Sequence, residues 1–175
     1  MGMTLGPASD RIFGWMALGG FLLAAAAHGA SVLGFDVQEH IPFVFGLHVG
    51  IFVVWFPAVL RARTLRVDLE ACLPPWVRTV LFVLFAYALL NFVFSLSQLG
   101  GGQPGMRDGR YVLLNKSKLV REINAQEYHQ LRAFLLRAFS GHWLLFYGAA
   151  CGFLLWRRPV PVASLEQPGA ANPPG

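Results

Sequence analysis

Four long stretches of this chain are almost free of charge. Residues 12–34, 41–60, 76–99 and 138–156 are dominated by Leu, Phe, Val, Ala and Gly, with Arg78 at the edge of the third. About 20 apolar residues in helical form cover the ~30 Å hydrocarbon thickness of a bilayer. Lipid offers backbone amides no partner, so each span must satisfy its own as a helix. The pattern therefore predicts an all-α integral membrane protein with four transmembrane helices in a bundle. A secretory leader is the competing reading of the first stretch, since Arg11 precedes it and Ala24 to Ala27 lie toward its end. The run is longer than the roughly 7–15 apolar residues of such a leader, and the surroundings of His28 lack a small-x-small cleavage pattern.

The polar connections differ in length. Residues 35–40 form a short one, 61–75 a basic one, and 100–137 a long insertion between the third and fourth spans. In the insertion, Gly100 to Gly105 has no means of forming a regular element. The apolar runs Tyr111–Asn115 and Leu119–Ile123 flank Lys116-Ser117-Lys118, which predicts a hairpin. Asn124 followed by Glu127 reads as a capping box that starts a helix, and Tyr128, Leu131, Leu135 and Ala138 recur at helical spacing. That helix either lies on the membrane surface or continues into the fourth span, with Ser140-Gly141 a plausible bend. Residues 1–158 thus form the four-helix domain, and the Pro- and Gly-rich 159–175 is expected to be a disordered cytoplasmic tail.

Charge sets the expected orientation. Arg61, Arg63, Arg66 and Arg78 flank one connection and Arg157-Arg158 follow the last span, while residues 35–40 carry no Lys or Arg. By the positive-inside rule both termini are cytoplasmic and the hairpin-plus-helix insertion is extracytoplasmic. Trp15, Trp76 and Trp156 fall at inner ends, as an aromatic belt would place them; Trp143 lies nearer the outer side and Trp55 is a packing residue. The Lys and Arg residues of the insertion oppose this orientation without outweighing it.

Composition narrows the class further. Hydrophobic residues make up 55% of the 175 and charged ones 13%, too apolar for an ordinary soluble domain. The net charge of +5 belongs to the connections, so the basic balance speaks for a bacterial inner membrane as the location and against nucleic acid as a partner. Cys72 and Cys151 have no metal-binding spacing, and a disulfide between them is not expected on the cytoplasmic side.

Candidate chemistry lies within the spans. Taking about 1.5 Å per residue, His28 lies roughly 9 Å, His48 roughly 10 Å and Asn91 roughly 12 Å below the outer ends of their helices, with His142 roughly 21 Å above the inner end of its own. Each span then supplies one polar group to a single layer. His28, His48 and His142 are candidate cofactor ligands: the three imidazoles would ligate a metal ion, or two would bind haem b iron with the third hydrogen-bonding a propionate or a quinone. The commoner role of such residues is bonding between helices. Tyr87, Asn91 and Ser95 form an i, i+4 polar layer along the third span, and Gly46/Gly50 and Gly148/Gly152 repeat a close-packing spacing.

A second group lies in the outer connections, with Asp36, Glu39 and His40 in the short one and Glu122, Glu127 and His129 in the long one, as metal ligands or, more commonly, as solvated side chains. Arg132 and Arg137 either snorkel at the membrane edge, the commoner behaviour, or meet lipid head groups or a partner. No GxSxG, HExxH or P-loop pattern occurs. The sequence therefore reads best as a non-enzymatic accessory or assembly component of a membrane system, in contact with lipid and with other membrane subunits. The alternatives are a haem- or quinone-linked electron carrier and a transporter or channel subunit.

Overall fold

The structure, a computed structural model, describes residues 7–64 and 72–158. Arg66 and the tail at 159–175 lie outside the described residues. Four helices are long and apolar enough to cross a membrane, and a small three-stranded sheet accompanies them. In chain order the elements are α1 (Pro7–Val32), α2 (Val37–His40), α3 (Gly46–Thr64), α4 (Pro75–Gln98), β1 (Gln103–Arg107), β2 (Arg110–Asn115), β3 (Lys118–Glu122) and α5 (Ala125–Trp156).

The helix ends depart from the apolar boundaries in ways that follow from local chemistry. α1 starts at Pro7, not residue 12, because Asp10 and Arg11 are helical though charged. α3 starts at Gly46, not residue 41, because the apolar residues 41–45 form turns; Pro42 among them has no N–H to give a helix. α4 opens with Pro75 in its first turn, where the absent N–H costs nothing.

α5 is one unbroken helix through Ser140 and Gly141, so the amphipathic segment runs directly into the apolar one. Its cap is half of the expected box. Asn124 Oδ1 accepts from Glu127 N at 2.8 Å, but the Glu127 carboxylate turns away to take both terminal nitrogens of Arg121.

Three strands stand where two were expected. β2 and β3 are the predicted hairpin, and β1 adds Gln103–Arg107 from the glycine-rich run, paired antiparallel to β2 with Arg107 opposite Arg110. The Gly-Pro composition gives β1 no propensity of its own; its ladder comes from the two-residue turn Asp108-Gly109, both at positive φ (51° and 76°), the geometry that joins tight hairpins. Leu113 of β2 packs with Leu99 and Leu131, which seats the sheet on the end of α4 and the first half of α5.

α5 is the hub. It packs against α1, α3 and α4, and also touches α2, β1 and β2. The most apolar part of α5 is 61% buried inside the protein, against 17% for α3 and for α4, so those two turn most of their surface outward. Phe52, Phe56, Phe82 and Leu90 are among the large side chains left exposed, surface that an apolar solvent tolerates and water does not. Trp143 is fully buried at the centre of the core, a packing residue and not an interfacial one.

Small residues admit the hub. A Cβ on Gly152 would meet Val77 at 2.9 Å and one on Gly148 would meet Leu84 at 3.1 Å, so that spaced pair faces α4. Of the α3 pair, only Gly50 is a contact: it makes room for the Tyr147 hydroxyl, which donates to Leu47 O at 2.7 Å, while Gly46 faces open space.

Candidate functional site

The buried polar side chains gather on α5 at three levels. The middle level centres on His28 of α1, which is buried. Its Nδ1 lies 2.8 Å from Ser140 Oγ and its Nε2 lies 2.5 Å from the Tyr87 hydroxyl. Ser140 Oγ in turn donates to Arg137 O at 3.4 Å. With that hydrogen committed, the hydroxyl accepts from His28 Nδ1–H, and Nε2 accepts from Tyr87. The hydrogen bonds thus run in one direction, from Tyr87 on α4 through His28 on α1 to α5.

Asn91 closes the same network. Its Nδ2 donates to Arg137 O and its Oδ1 accepts from Arg137 Nε, each at 2.8 Å. The Arg137 guanidinium lies 4.8 Å from the centre of the Phe94 ring. Arg137 is half-buried, with its Nε committed to Asn91. Ser95, next on the Tyr87–Asn91 stripe, is fully buried, and its hydroxyl has no hydrogen-bond partner among the described residues.

The other two candidate histidines have partners of their own. His48 Nδ1 accepts from Trp143 Nε1 at 3.1 Å. His142 Nδ1 donates to Ala138 O of its own helix at 3.0 Å, with its ring edge-on to Phe92. Ser140 and Trp143, which receive His28 and His48, are separated by about 4.5 Å of helical rise, so the two imidazoles do stand at similar heights. Among the described residues, none of the three shares a hydrogen-bond partner with another. Ser140 beside His28 has the makeup of a nucleophile and base, but its hydroxyl is buried and already bonded.

At the sheet end, Asp36 joins the 35–40 connection to α5. Its Oδ1 accepts from Gln38 N at 3.1 Å, capping α2, and its Oδ2 lies 2.9 Å from His129 Nδ1 and 3.2 Å from Arg132 Nε. Glu39 stands 3.6 Å from the same His129 nitrogen. Asp36, Glu39 and His129 offer ligand atoms within 4.8 Å of one another, and Arg132 pairs with the same Asp36 oxygen. The other residues of that predicted group fall elsewhere. His40 Nδ1 lies 3.4 Å from the Asp36 carbonyl, and Glu122 pairs with Arg110 at 2.7 Å. The hydrogen bond to Glu122, and then that carboxylate's charge, raise the Arg110 pKa above its ordinary value.

At the opposite end, Asp10 is 4% exposed and ion-paired to Arg157 at 2.6 Å and Arg61 at 3.2 Å. One carboxylate thus ties the start of α1 to the ends of α3 and α5. Trp76 and Trp156 meet edge-on at this end, 5.3 Å between ring centres. Cys72 and Cys151 are both buried, and no disulfide joins them.

Sequence reasoning missed Ser140, read as a bend, and Asp10, read as lying outside the first span. In each case the signal was a polar residue on the helix face that carries the core. No family model, curated protein or solved structure matches this chain.

Proposed function

We propose that this chain is a small integral protein of the bacterial cytoplasmic membrane, its four long helices spanning the bilayer with the sheet end outside and both termini in the cytoplasm. In this reading it works as a non-enzymatic accessory or assembly component that presents its sheet to other membrane subunits. The observation that carries the proposal is the saturation of His28 by Tyr87 and Ser140 from two other helices. Tyr87, His28, Ser140, Asn91 and Arg137 are bonded to one another across three helices, which fixes packing. β3, an edge strand exposed along its whole length, provides unpaired backbone for a partner. A haem would need two imidazole nitrogens turned to one iron, and the separate partners of His28, His48 and His142 favour the packing role.

A photo-crosslinking residue at Val120 of β3, introduced in the native host, tests the function. A discrete crosslinked species is expected, and its absence together with a lone monomer in mild detergent would refute the accessory role. Orientation is tested by Ser117→Cys, which should react with a membrane-impermeant maleimide in intact spheroplasts; reaction only after lysis would reverse the topology.

A further inference from the structure

A groove of about 440 Å³ runs along α3 beside Phe146, within the size range of small-molecule sites. Its walls are almost wholly apolar and largely aromatic, including Phe52, Trp55 and Phe56, with His48 at one end and Arg63 at the other. From His48 to Arg63 the helix rises about 22 Å.

The protonation of His48 follows from its partner. An indole N–H can only donate, so its 3.1 Å contact makes His48 Nδ1 an acceptor, and the proton of the neutral ring sits on Nε2. His48 is exposed and Nε2 has no hydrogen-bond partner among the described residues. An N–H donor is therefore fixed at the end of an apolar groove. In the membrane setting proposed above, on which this inference rests, such a donor needs an acceptor from the occupant.

We infer that the groove binds a long single-chain lipid with a carbonyl-bearing ring as its head, the isoprenoid-quinone class. A head oxygen accepts from His48 Nε2–H, the ring lies against the aromatic wall, and the tail runs toward Arg63. Length and polarity choose this occupant. An acyl chain of a phospholipid covers its own leaflet, about 15 Å or half of the core, and falls short of the groove. A phosphate-headed lipid would place its head at Arg63 and leave the His48 donor against its tail.

The test uses the full chain in phosphatidylcholine nanodiscs, titrated with a benzoquinone carrying a decyl tail while tryptophan fluorescence is followed; Trp55 lies on the wall and Trp143 beside the head site. Saturable quenching is expected. His48→Leu should weaken it about tenfold, the usual effect of losing one buried hydrogen bond, and His48→Gln, which can both accept and donate, should recover most of it. Val59→Trp, which fills the groove without touching the polar network, should abolish saturation. Quenching that rises linearly without saturating, or that is saturable but indifferent to both His48→Leu and Val59→Trp, would overturn the assignment. A failure of the membrane reading is distinguished beforehand, because the protein would then purify without detergent as a monodisperse species.

Discussion

Asn91 and Arg137 exchange two hydrogen bonds across α4 and α5, the amide giving to the arginine carbonyl and the guanidinium giving to the amide oxygen, both at 2.8 Å. The pair is reciprocal, so losing the amide strands a guanidinium N–H in a half-buried site. Asn91→Leu is expected to destabilise the fold by about 1–3 kcal/mol, read by thermal unfolding of the full chain in detergent. An unchanged midpoint would show that Arg137 finds another partner.

The His28 chain makes a different demand, because its members should be coupled. Tyr87→Phe and Ser140→Ala each remove one end of the imidazole's bonding. A double-mutant cycle between them is expected to give a coupling energy of about 0.5–1.5 kcal/mol, the range of interhelical hydrogen bonds in membrane proteins. Strict additivity would mean that the directional chain has no energetic reality.

Asp10 sits between two guanidinium groups with little access to solvent. Asp10→Asn leaves Arg61 and Arg157 facing each other without a counter-charge and is expected to cost about 3 kcal/mol. Amide exchange localised to the ends of α1, α3 and α5 would check it, since those are the segments the carboxylate joins.

Two glycines provide a matched comparison. A Cβ on Gly141 would meet Asn91 Nδ2 at 2.7 Å, whereas one on Gly19 meets nothing within 4 Å. Gly141→Ala should therefore destabilise by about 1–3 kcal/mol through overpacking, and Gly19→Ala should be neutral or slightly stabilising. Equal midpoints for the two variants would contradict the close approach of α4 to α5.

The apolar stretches made four long helices legible, and the Asn124 cap and the Tyr111–Ile123 hairpin were legible from local chemistry. The ends were harder, because hydrophobicity reports what a residue can touch and not where helical hydrogen bonding stops: Phe43 and Val44 are apolar yet lie in turns, while Asp10 and Arg11 are charged yet helical. The Asp108-Gly109 signal for the β1–β2 turn stood in the sequence but was masked by the glycine-rich run before it. At the candidate site, His28, Tyr87 and Asn91 could be recognised as buried polar groups. Their partners could not, because Ser140 and Arg137 lie from 46 to 112 positions away along the chain and only the packing of α1 and α4 onto α5 selects them.

The position of the hub helix at the end of the fold bears on biosynthesis. Asp10, His28, Asp36, His48 and Asn91 all lie in the first 100 residues, and each bonds to a side chain or carbonyl between His129 and Arg157. A nascent chain emerging from the ribosome therefore carries these polar groups without their α5 partners until the last helix is translated. Termination anywhere before residue 125 would leave each of those groups without its α5 partner, Asp10 and His28 keeping only Arg61 and Tyr87, so abundance of this protein in the cell should depend on completing its final helix more than on any other segment.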